Sequence, residues 1–117
     1  MLNNIKKILI LKWGAFGDII ASTPAIKSIL RNYSNARIDI VSDYRFVELF
    51  PFGETFYNNF YDIKQKKLSL IKKIRKEKYD LVINLKWTSE GAAIISYLSG
   101  AKYRLGSGPI KYRLFYN

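Results

Sequence analysis

Lys7-Ile8-Leu9-Ile10-Leu11 opens the chain with a nearly continuous aliphatic run, and Lys12-Trp13-Gly14-Ala15-Phe16-Gly17-Asp18 follows it directly. A run this short and this apolar suits a strand buried on both faces of a parallel sheet. Gly14 and Gly17 mark a turn, and the stretch from about Ile19 to Tyr33 carries Ile26, Ile29 and Leu30 at helical spacing. Strand, glycine turn and helix together begin an α/β unit. Pro24 leaves two arrangements open, because a helix-interior proline loses a backbone bond. Either Thr23 caps a helix that starts at Pro24, or a turn over Asp18 to Ser22 continues through a kink.

The same grammar repeats downstream. Arg37 to Val41 alternates as a second strand, Tyr44 to Leu49 reads as a short helix ended by Pro51 and Gly53, and Phe56 to Ile63 as a third, aromatic-rich strand. A strongly basic helix is expected from about Lys66 to Lys78, with Leu68, Ile71 and Ile74 as its apolar stripe. Asp80 to Leu85 reads as a strand, Ser89 to Ser99 as an apolar helix closed by Gly100, and Tyr103 to Gly106 as one more strand. The order predicts an α/β fold of Rossmann-like type: an open parallel sheet with helices on both faces.

Composition narrows the chemistry. The 117 residues allow one core and no second full domain. Twenty Lys and Arg against 9 Asp and Glu give a net charge of +11, which favours an anionic partner. With no Cys and no His, thiol nucleophiles, disulfides, the usual zinc sites and Ser-His arrangements are excluded. No run approaches the roughly 20 apolar residues of a membrane-spanning helix, and no cleavable signal is evident, so the chain reads as cytoplasmic.

In open α/β sheets ligands bind at the carboxyl ends of strands, which singles out Lys12 to Asp18, Ser42 to Arg45 and Lys86 to Glu90. In the first segment, Gly14 and Gly17 let backbone N–H groups approach a ligand, Lys12 meets negative charge and Asp18 can accept a proton. The same glycines can serve only the turn, and an acid at a helix start can serve only as a cap. The spacing is neither a Walker loop nor G-x-G-x-x-G, so it gives no support to a nucleotide phosphate site here. Trp13 and Trp87 each follow a strand, where they can stack on a sugar ring or act as packing.

The stretch ILILKWGAFGDIIASTPAIKSILRNYSNARIDIVSDYRFVELF, residues 8–50, resembles the opening of glycosyltransferase family 9, the ADP-heptose:lipopolysaccharide heptosyltransferases. Lys12, Gly17, Asp18, Pro24, Ala25 and Ile26 match that opening, and KYDLVINL at 78–85 and SGAKYRLG at 99–106 extend the likeness. The resemblance implies the amino-terminal, acceptor-side Rossmann-like domain of a two-domain GT-B enzyme. Residues 1–117 would make up this domain in truncated form, and the carboxyl-terminal donor-binding domain would be absent. It implies Asp18 as general base in an inverting transfer, without a metal or other cofactor. The donor would be a nucleotide-sugar (ADP-heptose) and the acceptor an anionic glycolipid of the lipopolysaccharide core. Lys12, Trp13, Gly14, Gly17, Lys86 and Trp87 are the acceptor-binding candidates. The chain departs from the family's Asp-x-Gln-Gly after the fourth strand, carrying Asn84-Leu85-Lys86-Trp87 instead, which points to a different acceptor.

Eight of the fifteen residues from Lys64 to Lys78 are basic, and a solvated helix face or peripheral contact with the anionic inner face of the inner membrane both fit. A non-enzymatic, basic nucleic-acid-binding domain is the alternative from another class, although helices on both sheet faces would hide any stacking platform. An inactive fragment of a transferase is a further alternative. The isolated chain is expected to be inactive.

Overall fold

The computed structural model describes residues 5–13, 23–43, 57–85 and 90–106. Five parallel strands, β1 (Lys7–Leu11), β2 (Arg37–Ser42), β3 (Asn59–Asp62), β4 (Leu81–Asn84) and β5 (Tyr103–Gly106), form one sheet in the order β3-β2-β1-β4-β5. Among the described residues the helices are α1 (Thr23–Asn32), α2 (Lys67–Glu77) and α3 (Glu90–Leu98).

β1 is central, paired in parallel with β2 (Leu9 opposite Asp39) and with β4 (Leu9 opposite Val82). Ile8 to Leu11 are all completely buried, because alternate side chains enter two separate cores. Ile8 and Ile10 meet Ile38, Ile40, Leu81 and the Ile26 and Ile29 of α1 on one face. Leu9 and Leu11 meet Val41, Val82, Leu70 and Ile74 of α2, and Ala92 and Ile95 of α3 on the other. Each fully buried Leu or Ile contributes about 1.5–3 kcal/mol, so this one pentapeptide anchors both layers. With both faces of β1 and β2 covered, these central strands offer no exposed platform for stacked bases.

α1 begins at Thr23 with Pro24 in its first turn, where a missing N–H costs nothing. The expected helix portion from Ile19 to Ser22 and the expected helix at Tyr44 to Leu49 lie outside the described residues. The third strand is shorter than the aromatic run suggested, and its aromatics divide between the faces. Tyr57 and Phe60 pack together at 5.6 Å between ring centroids on the α1 side, whereas Tyr61 points into the α2 side. All three are packing residues.

The apolar stripe of α2 requires correction. Leu70 and Ile74 are buried with Ile71 against them, but Leu68 is 77% exposed. At 3.6 residues per turn Leu68 stands about 160° around the axis from Leu70, so a pattern stepping by three drifts off the buried face while Leu70 and Ile74, four apart, hold it. The first turn of α2 has no acidic residue and no side-chain cap. The exposed Lys66 and Lys67 sit at the positive end of the helix dipole, an arrangement that costs about 0.3–1 kcal/mol per charge.

Both helix ends on this side are closed by left-handed residues. Lys78 (φ 56°) ends α2 with its N–H on the carbonyl of Arg75 at 3.3 Å, and Gly100 (φ 75°) follows α3. The Asp80 carboxylate accepts the N–H groups of Lys6 and Lys7 at 2.9 and 3.0 Å, fixing the start of β1 beside β4.

Candidate functional site

The strand order reverses direction between β1 and β4: β2 and β3 lie on one side of β1, while β4 and β5 lie on the other. The crevice outside the carboxyl ends of β1 and β4 is therefore where this sheet places a ligand. Lys12 stands at that point. Its N–H continues the β1–β2 ladder to the carbonyl of Val41 at 3.0 Å, while its ammonium reaches across to the carbonyl of Leu85 at 3.4 Å. The side chain is only 6% exposed, which puts a positive charge at the mouth of the crevice with little water around it. Leu85 returns the tie from β4 through its N–H to the carbonyl of Leu11 at 2.9 Å.

Trp13 is partly buried and packs on the core that α2 and α3 share. Of the other sequence candidates, Gly14, Gly17, Asp18, Lys86 and Trp87 lie outside the described residues. Lys12 and Trp13 are thus the two candidates that the structure brings to the same edge.

Three further polar groups line that edge, two of them, Ser42 and Asp43, in the segment the sequence singled out after the second strand. Asp43 follows β2, is buried, and pairs with the Lys64 ammonium at 3.7 Å, linking the loops after β2 and β3. Asn84 ends β4 and is 3% exposed. Ser42 ends β2 fully buried, with its hydroxyl unpaired. The sequence signal was positional: each ends or immediately follows a short apolar run. The Asp43–Lys64 pairing spans two loops and had no local signature.

A separate polar network crosses the sheet floor. Asp39, completely buried in mid-β2, accepts the hydroxyl of Tyr79 and the N–H of Asn59, the latter at 2.9 Å. With the Tyr79 proton committed to Asp39, Tyr61 donates to the Tyr79 oxygen at 3.0 Å. Arg37 Nε lies 3.5 Å from Asp39, an ion pair without hydrogen-bond alignment. Burial, and then the hydrogen bonds to Asp39 and Tyr61, push the Tyr79 hydroxyl far above its ordinary pKa. Burial raises Tyr61 as well. This network sits in the floor, away from the carboxyl edge, and serves the fold. An open cleft of about 600 Å³ between β3 and α2, lined by Tyr61, Gln65, Lys73 and Glu77 among others, lies two strands from the crevice.

Comparison with known proteins defines the class first. The fold matches a glycosyl transferase family 9 structure from Veillonella parvula (TM-score 0.73, 21% identity, 96% of this chain and 34% of that one). It also matches Escherichia coli heptosyltransferase WaaC with ADP (TM-score 0.73, 19% identity, 95% of this chain and 39% of that one). A third match is E. coli ADP-heptose LPS heptosyltransferase II (TM-score 0.69, 21% identity, 86% and 30%). The sheet is that of the GT-B glycosyltransferases.

In sequence, the chain is 34% identical over 79 residues to lipopolysaccharide heptosyltransferase 3 of E. coli, an alignment covering 59% of this chain and 23% of that protein. No family model matches. The resemblance to the heptosyltransferases of glycosyltransferase family 9 holds in sequence and in fold, for a chain spanning about a quarter of the curated relative's length.

Proposed function

We propose that this chain is the acceptor side of a heptosyltransferase-like glycosyltransferase, in which an anionic glycan of the lipopolysaccharide-core type is held at the carboxyl edge of β1 and β4. The observation that carries this is Lys12: a nearly buried ammonium at the switch point of the sheet, the place where this kind of sheet holds a ligand and where a positive charge favours an acceptor phosphate or carboxylate. The heptosyltransferase likeness in sequence and fold supports the reaction class.

In this reading the donor is a nucleotide-sugar of the ADP-heptose kind, held by a second domain facing this edge. Asp18 removes the proton of the acceptor hydroxyl as its oxygen attacks the anomeric carbon, and the nucleoside diphosphate leaves from the opposite side with inversion. Lys12 orients the acceptor, with Gly14, Gly17, Lys86 and Trp87 from the neighbouring loops. Neither metal nor cofactor enters this scheme.

Calorimetric titration of the 117-residue chain with a phosphorylated core oligosaccharide and, separately, with ADP tests the assignment. Binding of the oligosaccharide with no response to ADP is expected. Tight ADP binding with no oligosaccharide binding would reverse the assignment of sides.

A further inference from the structure

Lys72, Lys73 and Lys76 along α2 and Lys66 and Lys67 at its start are all exposed, as is Leu68 on the outer face. The single acid of α2, Glu77, is turned inward, where it meets Lys7 at 3.2 Å and Arg37 at 3.9 Å. The outer face is thus cationic with no acid of its own helix to balance it. Leu68 stands in the first turn, directly after two lysines that oppose the helix dipole, at a helix start with no side-chain cap. α2 leads from the carboxyl end of β3 back to the amino end of β4, so this first turn lies at the same edge of the sheet as Lys12 and the Asp43–Lys64 pair.

We propose that the outer face of α2 docks on an anionic lipid bilayer, with Leu68 inserted among the acyl chains as its anchor and the carboxyl edge of the sheet held at the membrane surface. Lipid phosphates satisfy the lysines of the face and neutralise the unfavourable charges at the start of the helix, and the bilayer supplies the apolar environment that Leu68 lacks in water. A nucleic acid fits this surface less well. It would be gripped by exposed aromatics among the cations, of which the outer face has none, and it would leave Leu68 in water. The inference deepens the transferase reading by giving the site a route to a lipid-linked acceptor, but it rests on α2 alone.

The test is sedimentation with large unilamellar vesicles of phosphatidylcholine, or of equal parts phosphatidylcholine and phosphatidylglycerol. The chain should pellet only with the anionic vesicles and be released by salt. Changing Lys66, Lys67, Lys72 and Lys76 together to Gln should weaken partitioning by about fivefold per lysine, while the charge-matched change of Lys6, Lys27, Arg31 and Lys102 to Gln should weaken it far less. Because the chain has no cysteine, Leu68→Cys takes a single polarity-sensitive dye, whose emission should shift to the blue on anionic vesicles. Equal loss from both quadruple variants, or a dye that does not respond, overturns the proposal. So does binding of an oligonucleotide that depends on the α2 lysines at concentrations where vesicles are ignored. None of these readouts involves sugar transfer, so their failure leaves the transferase assignment standing.

Discussion

The Lys12 ammonium donates to the carbonyl of Leu85 at 3.4 Å, joining the ends of β1 and β4 across the point where the sheet changes direction. A bond of that length to a neutral carbonyl is weaker than a charge-assisted bond to an anionic ligand would be. Lys12→Met keeps the stem that packs beside the strand and removes the charge. A charge-assisted hydrogen bond is worth about 1.5–3 kcal/mol, so the acceptor KM should rise roughly 10- to 150-fold in the active transferase, with kcat changing much less. Steady-state kinetics over a range of acceptor concentrations would show the split; a fall in kcat at constant KM would move Lys12 from orienting the acceptor to the chemical step.

Asp39 loses its hydroxyl donor in Tyr79→Phe, and Tyr61 loses its acceptor. A buried acceptor left short of a bond costs about 1–3 kcal/mol, which urea denaturation would register as a lower midpoint at unchanged slope. The same network fixes an alkaline limit. Tyr79 and Tyr61 have folded-state pKa values above the ordinary 10.0, so the folded chain holds these protons where the unfolded chain releases them. Their contribution is complete below about pH 10 and is lost as pH rises beyond it. The wild type should therefore lose stability steeply above that pH, and Tyr79→Phe less steeply.

How this network escaped the sequence reading shows where sequence stops being informative. Arg37-Ile38-Asp39-Ile40-Val41 reads correctly as a strand, because apolar residues alternate with polar ones. Alternation ordinarily sends the polar set to solvent, yet here α2 covers that face and Asp39 is satisfied by Asn59 and Tyr79, twenty and forty residues away. Local pattern carries no record of such partners. The strands were legible because their apolar runs are short and bounded, and Lys12 was legible because it directly follows one. Leu68 was misplaced because a three-residue step mimics helical periodicity for one turn before it drifts. The remaining family-matched site residues, Asp18 above all, fall outside the described residues.

Gly100 follows α3 at φ 75°, with the nearest atom to a hypothetical Cβ being Arg75 Cγ at 4.0 Å. Space is available, so Gly100→Ala isolates the backbone term. The left-handed conformation costs a residue with Cβ about 1–2 kcal/mol, against about 0.4–1 kcal/mol gained by restricting the unfolded chain. A net loss near 1 kcal/mol is expected in thermal or urea unfolding. Gly100→Asn should lose less, since Asn tolerates this conformation, and equal stability of all three would mean that the chain end of α3 is not held in the left-handed region.

Asp18 follows Gly17 in the sequence after β1, in the segment whose match to the heptosyltransferase opening runs through Lys12, Gly17 and Asp18 to Pro24, Ala25 and Ile26. A carboxylate there would stand just beyond Lys12, at the carboxyl edge where the acceptor hydroxyl must lose its proton. Asn has nearly the same shape as Asp and caps a helix as well. Asp18→Asn should therefore melt within a few degrees of the wild type and bind the core oligosaccharide with similar affinity. What it removes is the ability to take up a proton. General-base assistance is worth about 10²- to 10⁴-fold, so kcat in the active transferase should fall by that order with acceptor KM little changed. The pH–rate profile gives the sharper readout: the acidic limb set by this carboxylate should vanish in the Asn variant. A variant that keeps most of its turnover and its acidic limb would leave Asp18 as a helix cap and assign the base elsewhere.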